Sequence, residues 1–128
     1  MCGRDSRPSG EMIQSIMTDE LIRLGRTIID CGIVPTPTVQ FMVHNTEAIG
    51  GFIITASHNP IEWNGIKFLR EDSTFFHKSD CEKLFNLADN FNAPATFIPL
   101  EVPQNIPSLI ARSLQVFLAV DSSIAIAL

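Results

Sequence analysis

Between Ser9 and Thr55 the apolar residues switch repeatedly between helical and extended spacing, and that alternation confines the chain to one fold class. After Ser9, a good N-cap, Met12, Ile13, Ile16, Met17, Leu21 and Leu24 keep helical spacing as far as Gly25, which predicts an amphipathic helix closed by a left-handed glycine. Thr27–Cys31 is short and β-branched and predicts a buried strand, with Gly32 opening the next loop. Thr36 can cap a second, shorter helix that has Pro37 at its first position and Val39, Met42 and Val43 on its inner face. Gly51–Thr55 is the next strand. Two strands separated by a helix run parallel through a crossover, so the class is α/β.

The Asn64-Gly65 turn stands too close to that strand for another crossover, so Ile66–Leu69 is expected to return antiparallel and make the sheet mixed. Ser79, three residues before Glu82, forms a capping-box pattern, and Leu84, Leu87, Ala88 and Phe91 supply an apolar stripe to about Asn92. Residues 1–92 therefore read as one domain. Residues 93–107, with Pro94, Pro99, Pro103 and Pro107 and no sustained period, read as a linker. Residues 108–128 read as the start of something further, a short helix and then a strand around Val116–Val120 that has nothing to pair with.

Length and charge narrow the function. The 128 residues suffice for about one domain, and no apolar run approaches the roughly 20 residues of a membrane helix. A net charge of −5 without a Lys/Arg cluster gives nucleic acid or an anionic membrane no electrostatic footing. The N-terminal "MCGRDSRPSG" lacks the form of a secretory signal, and three cysteines, Cys2, Cys31 and Cys81, have no ligand spacing, so a reducing cytoplasm is the expected compartment. Cys31 and Cys81 read as buried packing residues. The three histidines also lack ligand spacing, which argues against zinc; His44 and His77 read as solvated helix-end or loop residues.

The chemistry concentrates in Thr55-Ala56-Ser57-His58-Asn59-Pro60, at the carboxyl end of a strand, where open α/β sheets gather their ligands. Ser57 could be a nucleophile if a neighbour takes its proton and another stabilises charge, and His58 and Lys67 are the nearest groups able to do so. The same residue types also make an ordinary turn, so the composition of the loop leaves both readings open. Asn59 and Pro60 suit fixing the loop, and Gly65 suits the turn that aims Lys67.

"TASHNP" followed by "NGIKF" resembles the active-site serine loop of the phosphohexose mutases, the phosphoglucomutase/phosphomannomutase superfamily that includes phosphoglucosamine mutase. "GRDSRPSG" and "GIVPTPT" resemble upstream segments of the same family, in the same order, so the likeness spans residues 3 to 69. It implies a three-layer α/β/α domain with a mixed, mostly parallel sheet, the first of four domains. It also implies a carbohydrate-metabolism enzyme, an intramolecular phosphotransferase moving phosphate between C1 and C6 of a hexose or hexosamine phosphate. Ser57 would be the phosphoserine, and a bisphosphorylated sugar the intermediate. Through its phosphate Ser57 would also be a ligand of Mg2+, whose other ligands lie in a "DGDxDR"-type loop that this sequence lacks.

On the resemblance, Lys67 gives general acid/base assistance and His58 orients or protonates the phosphoryl group, as the charge of a phosphoserine requires. Arg4, Asp5 and Arg7 match the "GRDxR" segment and brace the neighbouring loop rather than touch substrate. The family places an apolar strand before "GRD", where Met1 stands. A sheet strand is thus expected to be missing, with weak stability as the result. Residues 108–128 would begin domain II, and the chain would be an inactive fragment whose partners are the missing domains. Two other classes compete: a serine hydrolase, disfavoured because "TASHN" lacks the G-x-S-x-G glycines, and a non-catalytic or inactive module that binds phosphosugars.

Overall fold

The first three residues to form regular structure, Cys2–Arg4, make β1, one of the two inner strands of a four-stranded sheet in the computed structural model, which describes residues 1–90. The elements that follow are α1 (Gly10–Arg23), β2 (Asp30–Ile33), α2 (Thr36–His44), β3 (Gly50–Ile54), β4 (Ile66–Arg70) and α3 (Lys78–Asp89). Strand order is β2-β1-β3-β4. β1 runs parallel to both β2 and β3, and β4 returns antiparallel to β3 in the register Ile54↔Ile66 to Gly50↔Arg70. The sheet is mixed, as the short 55–65 connection demands.

The strand expected to be missing is therefore present. Three residues are too few to show a period in sequence, but Cys2, Gly3 and Arg4 pair with Phe52, Ile53 and Ile54. Met1 joins this core: it is 9% exposed, and its amino group donates to the Gly50 carbonyl at 3.2 Å.

Alternation along the strands sends side chains to two apolar layers. Cys2, Phe52, Ile54 and Phe68 meet Ile13 and Met17 of α1 and Leu84 of α3 on one face. Met1, Ile53 and Leu69 meet Val39 and Val43 of α2 on the other. The architecture is three-layered α/β/α. Each fully buried aliphatic side chain contributes roughly 1.5–3 kcal/mol of transfer free energy, so both layers hold the sheet between them. α2 also sits close because glycines face it: a Cβ on Gly3 would lie 2.6 Å from Val39 Cγ2, and one on Gly51 3.1 Å from Val43 Cγ2.

Helix α1 ends as its sequence predicts. Gly25 has φ +77°, its N–H donates to the Ile22 carbonyl and that of Arg26 to the Leu21 carbonyl, the paired bonds of a Schellman close. Its start differs: Ser9 is the N-cap, but its hydroxyl accepts from Asn64 Nδ2 at 3.0 Å instead of capping the helix. Strand β2 begins three residues and ends two residues later than the Thr27–Cys31 reading and is an edge strand, with Asp30 and Ile33 exposed and Gly32 inside it at φ +72°, where its register against β1 shifts. β-branching marked a strand there, and edge exposure hid its bounds.

Pro35, not Thr36, is the N-cap of α2, and His77 opens α3 two residues ahead of Ser79, its N–H accepted by Asp80 Oδ2 at 3.0 Å. Cys2 is the buried cysteine, while Cys31 and Cys81 are half-buried. Burial, ahead of the nearby Asp30 charge, pushes the Cys2 thiol up to about 11. His44 and His77 both sit exposed at helix ends. Phe91 and Asn92, the linker read at 93–107 and the second-domain start read at 108–128 lie outside the described residues. Among the described residues no helix is long and apolar enough to cross a membrane.

Candidate active site

β3 is buried along its length and ends at Ile54, so the next residues are delivered to the carboxyl edge of the parallel strands. Ser57, His58, Asn59 and Pro60 are all exposed there. Ser57 stands at φ 56°, a left-handed conformation that L side chains rarely take, in a chain whose one other described non-glycine of this kind is Ser73. Its Oγ lies 2.9 Å from Nδ1 of His58. A hydroxyl and an imidazole nitrogen at that separation can pass a proton in either direction.

The conformation is imposed from outside the loop. Arg7 Nη2 donates to the carbonyls of Ser57 and Asn59, each at 2.9 Å, and Nη1 to those of Pro60 at 2.6 Å and Trp63 at 3.2 Å. Its Nε donates to Asp5 Oδ2 at 2.9 Å, so all five guanidinium N–H groups have protein acceptors. Arg7 is thus fully spent on the loop and has no donor left for a bound anion.

Asp5 is fixed in turn. Its N–H donates to the Ile54 carbonyl at 3.0 Å, and its Oδ1 accepts from the Arg7 N–H at 3.0 Å. Burial pushes the Asp5 carboxyl up, but the hydrogen bonds from the Thr55 hydroxyl and from Arg7 outweigh burial and hold it below the usual 3.8. Thr55 Oγ1 also accepts the Ser57 N–H at 3.0 Å, so the residue whose hydroxyl lowers the Asp5 carboxyl also holds the Ser57 backbone. Sequence reasoning passed over Thr55. The signal was a threonine two residues before the serine, the spacing at which a hydroxyl closes a turn on a backbone N–H.

The far side of the loop is held by Asn64 and Gly65. Asn64 is 9% exposed, Nδ2 donating to Ser9 Oγ and Oδ1 accepting the Gly65 N–H at 2.9 Å. Gly65 serves close approach and not a left-handed turn: a Cβ there would meet the Thr55 carbonyl oxygen at 3.0 Å, while its own carbonyl accepts the Thr55 N–H at 2.9 Å.

Lys67 is placed near the same edge, opposite Ile53 and one pair in from the end of the β3–β4 ladder. Its Nζ lies 5.9 Å from the Phe75 ring centroid, an arrangement that holds the ammonium by cation–π attraction and away from hydrogen bonding with Ser57. Arg4 is mostly buried and points to Glu11 of α1 at 3.9 Å. A cavity of about 420 Å³ opens at the opposite end of the sheet, lined by Met1, Ile28, Ile29, Ala48 and Phe52 among others, and it does not coincide with this chemistry. Among the described residues no group of three His, Cys, Asp or Glu could hold a metal ion.

Fold and loop together define a three-layer α/β/α domain that carries an exposed serine, paired with a histidine, at the carboxyl end of a parallel strand. The chain belongs to the phosphoglucomutase/phosphomannomutase family, a family of phosphohexose mutases: the profile described as "Phosphoglucomutase/phosphomannomutase, alpha/beta/alpha domain I" matches residues 1–93. It is 51% identical over 67 residues to a phosphoglucomutase/phosphomannomutase of Thermococcus kodakarensis, covering 52% of this chain and 15% of the relative. It is 32% identical over 118 residues to a phosphoglucosamine mutase of Prochlorococcus marinus, covering 89% and 26%. A phosphoglucosamine mutase of Leuconostoc citreum is 40% identical over 97 residues, covering 76% and 21%. The matched part spans about a quarter or less of the length of these relatives.

Proposed function

We propose that this chain supplies the phosphoryl-carrying serine of a mutase that moves phosphate between C1 and C6 of a hexose or hexosamine phosphate. The observation that carries the reading is Ser57 Oγ at 2.9 Å from His58 Nδ1 on an exposed tip, with the loop backbone pinned by Arg7. Phosphoryl transfer asks a protein chiefly for placement and charge stabilisation, and a pinned hydroxyl meets the first demand.

In the first half-reaction the sugar hydroxyl oxygen attacks the phosphorus of phosphoserine, the bond from phosphorus to Ser57 Oγ breaks, and the serine oxygen is left to take a proton. His58 is positioned to give it. The hydroxyl proton of the sugar passes to Lys67 in its general acid/base role, which requires the side chain to leave Phe75 and swing toward the loop. The bisphosphorylated sugar then turns and returns its other phosphate to Ser57 by the reverse path.

A magnesium ion would offset the phosphoryl charge. Of the described residues Ser57, through its phosphate, is the one assigned to it, and the carboxylates of the ligand set would come from polypeptide beyond residues 1–90. The sugar site would likewise draw on such polypeptide, which makes the other domains of a complete mutase the working partners of this one, in a cytoplasmic setting.

Incubation with a hexose bisphosphate of this chain together with the remaining domains of a full-length relative, followed by peptide mass spectrometry, tests the reading. Phosphate on Ser57, absent in Ser57→Ala, supports it. A Ser57 that stays bare, or that an acyl-transfer reagent labels instead, overturns it in favour of a binding module or a hydrolase. One observation already weighs against the hydrolase: among the described residues no carboxylate orients His58, the third member such a triad needs.

A further inference from the structure

Trp63 is the sole tryptophan of the sequence and stands 56% exposed on the serine loop, beside Ile61 at 63%. Isolated surface hydrophobics are ordinary, but this one is held in an unusual way. Its carbonyl accepts from Arg7 Nη1 and its N–H donates to the Pro60 carbonyl at 3.0 Å. The same guanidinium holds the Ser57 carbonyl through Nη2. The backbones of the exposed indole and of the hydroxyl are therefore spaced by one rigid planar group. The residues just after it are equally fixed, through Asn64 on Ser9 and Gly65 on Thr55.

We propose that Trp63 is a substrate-contacting residue, its indole meeting the apolar C–H face of the hexose ring whose phosphate is exchanged at Ser57; this rests on the phosphoryl-transfer reading above. Three observations converge on it. A large apolar group left in water is stabilised by covering it, and a tryptophan offers a broad contact area with little side-chain entropy to lose. A pyranose presents a C–H face that fits a flat ring, while its hydroxyls remain free for polar partners. Ser57 and Trp63 are carried on one short loop and held through one guanidinium, so a sugar whose phosphate is exchanged at Ser57 has its ring within reach of residues 57–63.

The single tryptophan makes the test direct, because the intrinsic fluorescence of the chain reports this position alone. Hexose phosphate titrated into Ser57→Ala, which removes phosphorylation from the reading, is expected to shift or quench the emission, whereas inorganic phosphate at equal concentration is not. A flat titration, or the same response to both, overturns the proposal. Second, the rate of Ser57 phosphorylation is measured with a hexose bisphosphate and with acetyl phosphate, a donor without a ring. Trp63→Ala should lower the ratio of the two rates roughly fivefold to tenfold, and Trp63→Phe should restore most of it. An unchanged ratio means that the residue acts only on the loop, and overturns the proposal. If neither donor phosphorylates Ser57 the phosphoserine reading fails by itself, and the fluorescence titration alone decides whether the tryptophan binds the sugar.

Discussion

Arg7 Nη2 donates to the carbonyl of Ser57 at 2.9 Å across 50 residues of sequence, joining the loop after β1 to the loop after β3. Three further carbonyls and the Asp5 carboxylate share that guanidinium. Arg7→Ala should destabilise the chain by roughly 2–3 kcal/mol in urea titration, since it strips charge-assisted bonds from several carbonyls at once. Arg7→Lys should recover less than half, because an ammonium cannot reproduce the planar fork. Both variants should slow phosphorylation of Ser57.

Replacing Ser57 separates strain from chemistry. At φ 56° a residue with a Cβ carries about 1 kcal/mol of conformational strain that glycine does not. Ser57→Gly should therefore be more stable than Ser57→Ala by about that amount, less the extra freedom glycine gains on unfolding. Neither variant should take up phosphate. Equal stabilities would mean that the backbone at 57 relaxes once the hydroxyl is gone.

The Asp5 carboxyl sets a pH dependence of known sign. Its folded pKa lies below 3.8, the unfolded value, so its stabilising contribution is complete above that value and is lost as pH falls through the folded pKa. Asp5→Asn should be less stable than the parent at neutral pH, and the gap should narrow below about pH 4. Denaturation midpoints measured across that range check it. A gap that stays constant would show that Asp5 acts through its shape and not its charge.

Gly3 and Val39 form a second checkable pair. A methyl on Gly3 would meet Val39 Cγ2 at 2.6 Å and Val34 Cγ2 at 3.0 Å, so Gly3→Ala should cost roughly 1–3 kcal/mol by overpacking the α2 side of the sheet. Val39→Ala alone opens a cavity. Combined, each should relieve the other, and the double variant should lose at least about 0.5 kcal/mol less than the sum of the singles.

The layers of this fold were legible because their signals are periodic. Ile13 and Met17 on α1, Val39 and Val43 on α2, and Phe52 and Ile54 on β3 all repeat at the spacing of their element, and each is buried. β1 escaped notice because Cys2–Arg4 is shorter than any period and owes its place to the strands on either side. β2 was misplaced because an edge strand buries too little to alternate cleanly. At the site, Ser57 and His58 could be picked out as neighbours in sequence, whereas the contacts of Thr55 and the reach of Arg7 to Pro60 and Trp63 are facts of three-dimensional placement. Lys67 was chosen for its charge, and its engagement with Phe75 depends on a turn, 71–75, that no motif marks.

The brace from Arg7 to the serine loop joins segments that meet only after β1 has entered the sheet between β2 and β3. Closing so long a stretch of chain is costly before the strands pair, so the backbone posture of Ser57 is a property of the finished sheet and not of the hexapeptide around it. A nascent or partly opened chain would carry the same hydroxyl in a slack loop, and on the proposed reading phosphate uptake at that serine would act as a certificate of correct assembly.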